Sequence, residues 1–179
     1  MPKLSAGLLL YRVRDGVVLS RRPAAPGSAA LAIAVVEVLI GHPGGPFWAR
    51  RDDGAWSIPK GEHTEGEDPW AAAQREFAEE VGLTPPPGPR IDLGTVKQPG
   101  GKVVTAFAVQ GDLDLADARS NTFELEWPRG SGRIQVFPEV DRVDWFPVAQ
   151  ARTKLLKGQR PFLDQLMAHP SLAGLTERY

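Results

Sequence analysis

Residues 61–83 read GEHTEGEDPWAAAQREFAEEVGL, and this stretch predicts a helix with both of its ends marked. Asp68 suits the N-cap, Pro69 the first helical position, the following alanines favour helix, and Gly82 can supply the left-handed residue that stops one. At about 3.6 residues per turn, Ala73, Phe77 and Val81 form an apolar stripe, which leaves Arg75, Glu76, Glu79 and Glu80 on or beside the accessible side. Glu76, Glu79 and Glu80 then stand at i, i+3 and i+4, where unpaired carboxylates repel one another unless a cation offsets them. A bound metal would serve, and Arg75, one turn before Glu79, would neutralise part of the charge within the helix. Taken by composition alone, the run also fits an ordinary solvated helix face.

The complete spacing favours the metal. Gly61 is followed after five residues by Glu67, after seven more by Arg75-Glu76, then by Phe77, by Glu79-Glu80 and by Gly82-Leu83. These positions match every fixed point of the Nudix box, and in this respect the chain resembles a Nudix hydrolase. The match covers only 23 of the 179 residues. The resemblance implies an α/β (α+β) fold, the Nudix α/β/α sandwich with a mixed sheet, and metal-dependent cleavage of a nucleoside diphosphate linked to another group. It also implies a metal role for the Gly61 carbonyl beside Glu76, Glu79 and Glu80. Glu67 and Arg75 take a scaffolding part, as an ion pair pinning the loop across the start of the helix.

The chemistry can be argued from the residue types. A pyrophosphate link is densely anionic, and attack by water pushes further charge onto the departing oxygen. Hard divalent cations such as Mg²⁺ favour oxygen ligands and are held by a few carboxylates together with substrate phosphates; Mn²⁺ accepts the same set. Lys60, the nearest cation to the cluster, is a candidate contact for a phosphate oxygen, although a solvated loop lysine would read the same. Many Nudix proteins add an acid from outside the box, just before a late strand. Phe137-Pro138-Glu139-Val140-Asp141 resembles that arrangement, making Glu139 the candidate extra ligand or general base, with Glu124 and Glu126 in reserve.

Composition sets the wider limits. The 179 residues, 42% hydrophobic, suffice for one domain spanning 1–179. A net charge of −1 gives no general pull on nucleic acid or membranes, and there is no basic stripe with interleaved aromatics. No apolar stretch is long enough for a bilayer, and the absence of cysteine suits a reducing cytoplasm, where the chain is expected. Strands are predicted at 5–12, 32–40, 91–97, 102–111, 123–127 and 140–146, with helices at 148–157 and 161–168. Residues 20–30, SRRPAAPGSAA from Ser20, read as an irregular loop insertion.

Substrate choice is written less clearly. Trp56-Ser57-Ile58-Pro59-Lys60-Gly61 resembles the approach to the box in enzymes of dinucleoside polyphosphates, which together with nucleoside triphosphates lead the expected substrates. The downstream tyrosine often associated with that class is missing, since the only tyrosines are Tyr11 and Tyr179. Pro99 sits near a proline of ADP-ribose pyrophosphatases, but a Pro-Gly-Gly turn explains it. ADP-ribose, a nucleotide sugar or an RNA 5′ end are the alternatives, and a nucleotide-binding sensor without turnover is the alternative of another class. Phe47, Trp48, Trp127 and Trp145 are candidates to stack on a base.

Overall fold

Branched and apolar residues build a long first strand, β1 (Leu4–Val17), whose successive side chains enter opposite cores. Ala6, Leu8 and Leu10 face one side, and Leu9 and Tyr11 the other. The computed structural model describes residues 3–17, 32–172 and 175. The predicted loop at 20–30 lies outside the described residues.

The remaining elements are β2 (Ala32–Pro43), β3 (Lys60–Glu62), α1 (Pro69–Val81), β4 (Arg90–Lys97), β5 (Val103–Gln110), β6 (Thr122–Glu126), β7 (Ile134–Pro138), β8 (Val140–Pro147), α2 (Val148–Lys154) and α3 (Arg160–Ala168), with a 3₁₀ turn at Lys157–Gln159. The main sheet runs β4-β5-β1-β2-β8, with β3 added on β1. Of its strand pairs only β1 and β5 are parallel, Leu4 opposite Val103 through Tyr11 opposite Gln110, so the sheet is mixed. One helix covers one face and two cover the other, giving the predicted α/β/α layering. Strands β6 and β7 form a separate hairpin, Phe123 opposite Phe137.

Helix α1 starts and stops as its sequence predicts. Asp68 accepts from the Trp70 and Ala71 amides at 3.4 and 3.3 Å, a cap contributing about 1 kcal/mol. Gly82 ends the helix at φ 75°, where a Cβ would also strike the Arg119 backbone. Ala72 joins the expected Ala73, Phe77 and Val81 in the buried stripe, against Leu8, Leu10, Leu39 and Phe107.

Two expectations are corrected in detail. The helix predicted to reach 157 ends at Lys154, because Leu155 turns extended, is fully buried and pairs with Trp56. Tertiary burial overrides helix propensity there. Strands β3 and β7 have no counterpart among the predicted strands: β3 is only three residues long, and β7 lies behind a glycine-rich turn, so neither carries enough periodicity to read.

Candidate active site

The site begins at a junction of strands. At Ser57 the chain pairs with Gly41 of β2, and three residues later Lys60 pairs with Gly7 of β1. This lays β3 beside α1, and Gly61, opposite Ala6, faces the helix. A Cβ at position 61 would overlap the carboxylate of Glu76. Glycine is therefore required by close approach, and Glu76 fills the space it leaves.

The acids predicted on the accessible side are consequently half covered. The Glu76 side chain is only 12% exposed. A helical wheel places it outward, but the wheel has no knowledge of β3. The Glu80 carboxylate turns under the strand and accepts the Lys60 amide at 2.9 Å. Its burial pushes its pKa up to about 7, with the charges of Glu76 and Glu139 adding to the rise and Lys60 opposing it. Burial also raises Glu76, against Arg75, and lowers Lys60, against Glu80. The common cause is burial, which disfavours the charged form of each group.

Arg75 is the organising cation among the described residues. Its guanidinium lies 3.2 Å from Glu67, 2.6 Å from Glu76 and 3.4 Å from Glu79, and it also donates to the Glu62 carbonyl at 3.3 Å. The hydrogen bond it donates to Glu76 is the chief reason its pKa is raised, so it stays charged at any working pH. The fork joins loop, strand and helix, and the Arg75–Glu67 ion pair is one of its contacts.

Glu139 is linked to α1 through the backbone. Its amide donates to Asn121 O at 2.8 Å, and the Asn121 amide donates in turn to Glu79 O at 3.0 Å, so Glu139 is tied to the last turn of α1. Its charge acts on both Glu76 and Glu80. Ser120 completes the tie, its hydroxyl bonding both the amide and the carbonyl of Val140 at 3.0 and 2.9 Å. A shallow cleft beside Glu80 is bounded by Ser120, Val140 and Arg142. Glu124 and Glu126 lie instead on the separate hairpin, where Glu126 accepts the Gly132 amide. Neither Ser120 nor Asn121 is among the residues predicted for the site, since a polar pair between strands reads simply as a loop.

The aromatic candidates disperse. Arg12 lies 4.1 Å over the Trp145 ring, and Trp48 packs against the core with Arg51 above it. Phe47 is exposed and meets Trp127 edge-on at 5.3 Å.

The polar groups beside α1 are oxygen-bearing: the carboxylates of Glu76, Glu79 and Glu80, with the charge of Glu139 acting on two of them. Among the described residues no three acidic or histidine groups converge as a finished ligand shell, since Arg75 takes Glu76 and Glu79 while the Lys60 amide takes Glu80. The carboxylates of Glu76, Glu79 and Glu80 are nonetheless hard oxygen donors, the type that a divalent cation such as Mg²⁺ takes.

A mixed sheet between helix layers, with half-buried acids where α1 meets β3, is the arrangement that comparison with known proteins makes specific. The pattern of the NUDIX domain matches residues 1–166, and the chain belongs to the Nudix family of pyrophosphohydrolases. It is similar in fold to a mutT/nudix family protein from Listeria innocua (TM-score 0.58, 19% identity, covering 98% of each chain). It is also similar to the NUDIX domain of Shewanella oneidensis NrtR complexed with ADP ribose (TM-score 0.54, 16% identity, 93% of this chain and 86% of that one). A third likeness is to a C. elegans Ap4A hydrolase (TM-score 0.53, 21% identity, 95% of this chain and 98% of that one). No curated protein matches the sequence. Among the described residues, no helix is long and apolar enough to cross a membrane.

Proposed function

We propose that the chain acts as a single domain that hydrolyses a pyrophosphate link in a small nucleotide, with Mg²⁺ as cofactor and Mn²⁺ as a substitute, in the cytoplasm. A dinucleoside polyphosphate or a nucleoside triphosphate is the favoured substrate. The observation that carries this reading is the burial of Glu76 in the space that Gly61 leaves, beside a Glu80 whose pKa is already raised to about 7. A protein with no use for a cation has no reason to collect and bury these acids.

Glu76, Glu79, Glu80, Glu139 and the Gly61 carbonyl would hold the cation. Once bound, it would neutralise the phosphates and the leaving group and lower the pKa of a water ligand. Glu139, tied through Asn121 to α1, would take the proton of the attacking water, whose oxygen ends on phosphorus while the other phosphate leaves as an anion. Arg75 keeps Glu76 and Glu79 oriented from the helix side. Lys60 has its amide committed to Glu80, and its ammonium feels the charges of Glu80, Glu76 and Glu62; it would contact a phosphate oxygen of the substrate.

Substrate choice is supported by the approach residues Trp56-Ser57-Ile58-Pro59-Lys60-Gly61. The likeness to an Ap4A hydrolase agrees with it, and the likeness to a domain complexed with ADP ribose keeps nucleotide sugars as the second reading. The test is a panel of dinucleoside polyphosphates, nucleoside triphosphates, ADP-ribose and 5′-triphosphorylated RNA, incubated with Mg²⁺ and resolved by chromatography. Cleavage of one of the first two classes is expected. Binding of nucleotide with no turnover of any compound would replace the enzyme by a sensor.

A further inference from the structure

Gln159 is one of three buried polar or charged residues among the described ones, with no exposed surface at all, and the proposed hydrolysis makes no use of it. Its amide is spent on residues about a hundred positions earlier in the chain. The Oε1 atom accepts the Ile58 amide at 2.8 Å, and Nε2 donates to the Ser57 hydroxyl at 3.0 Å. These two residues lie where the backbone crosses from β2 to β1. Ser57 exchanges two 2.9 Å hydrogen bonds with Gly41 on β2, and Lys60 already pairs with Gly7 on β1. In between, Pro59 has no N–H and its carbonyl accepts from the Leu8 amide at 3.0 Å, which leaves the buried Ile58 amide as a donor without a sheet partner. Gln159 is the acceptor that satisfies it.

The crossing sets the position of the residues just after it. One residue beyond Pro59, the Lys60 amide bonds Glu80, and at the next residue Gly61 meets Glu76. A shift of the backbone at Ile58 would therefore be transmitted to both contacts. The segment before Gln159 reinforces the hold: Trp56 donates to Lys154 O at 3.0 Å, and Leu156 donates to Trp56 O at 2.9 Å. We infer that Gln159 is a positioning residue, which fixes the Lys60 amide and the backbone at Gly61 against the α1 carboxylates from a site about a hundred residues away in sequence. The inference rests on the reading of Gly61, Glu76 and Glu80 as the cation-holding group.

Gln159→Met keeps the volume of the side chain and withdraws the acceptor. We expect Mn²⁺ binding to the free protein, measured by electron paramagnetic resonance, to weaken roughly tenfold, and kcat to fall roughly tenfold with KM within about twofold. If that variant does not fold, Gln159→Asn, whose amide is one methylene too short to reach Ile58, carries the same expectation. Leu166→Ala opens a cavity in α3 of the same core while leaving the hydrogen bonds of Gln159 to residues 57–58 in place, and it should leave Mn²⁺ affinity and the kcat of the folded protein within about twofold. Wild-type Mn²⁺ affinity in Gln159→Met would overturn the assignment. So would an equal loss in Leu166→Ala at a matched fall in Tm. If no nucleotide is turned over by the wild type, the assigned reaction falls, and Mn²⁺ binding alone still decides the role of Gln159.

Discussion

The two faces of the main sheet are built to different ends. Among the described residues, twenty buried side chains form the core beneath α2 and α3, against ten beneath α1. The larger core admits Phe162, Leu163, Leu166 and Leu155 at full burial, whereas the α1 side uses alanines and tolerates half-buried Glu76 and Glu80. Apolar burial on the first face supplies the stability that the second gives up by desolvating carboxylates. Variants of the α1 acids should therefore change turnover more than stability, and variants of the apolar residues beneath α2 and α3 the reverse.

The largest expected effect is on the acidic face. Glu80→Gln should lower kcat/KM by at least about a thousandfold, about 4 kcal/mol of transition-state stabilisation, with the metal-free Tm unchanged or raised. Steady-state kinetics alongside calorimetry would check both halves, and a large fall in Tm would break the contrast. On the opposite face, Phe162→Ala should lose about 3–5 kcal/mol of stability while the folded protein keeps kcat within about twofold; denaturant titration and assays below the new Tm read the two quantities. Glu139→Gln should lower kcat about a hundredfold with a smaller change in KM, and wild-type kinetics would move the proton-accepting role elsewhere.

The smallest effect is one of pH. Burial raises the folded-state pKa of Glu80 above its ordinary value, so its protonated form is favoured in the fold. That contribution is fully present below the unfolded carboxylate pKa and is lost as pH rises through about 7. On going from pH 5.5 to pH 8, metal-free wild type should therefore lose on the order of 2 kcal/mol more stability than Glu80→Gln, a gap of roughly 5 °C in Tm. Equal pH dependence in the two proteins would mean that Glu80 is not desolvated in the fold.

The same contrast explains what could be read without coordinates. Helix α1 was legible to its caps because Asp68, Pro69, the alanines and Gly82 act locally, and the spacing of its acids carried the family resemblance. What periodicity could not convey was the approach of β3, a strand too short to recognise, which turns Glu76 and Glu80 from exposed groups into half-buried ones. Asn121 and Gln159 were invisible for a related reason: each acts through backbone groups far away in sequence, and such a hydrogen bond leaves no spacing signature. The Pro147 and Leu155 boundaries of α2 show the same limit, since burial of Leu155 against the core, rather than helix propensity, decides where the helix stops.

The central claim is that the α1 acids hold a divalent cation that the reaction requires. It is met most directly by measuring product formation from the cleaved nucleotide across a Mg²⁺ titration, in the wild type and in Glu79→Gln. The expected result is saturable Mg²⁺-dependent turnover in the wild type and a variant reduced at least about a thousandfold at every Mg²⁺ concentration, with its fold intact. Turnover by Glu79→Gln at a rate near that of the wild type, or a wild-type rate indifferent to Mg²⁺, would contradict it.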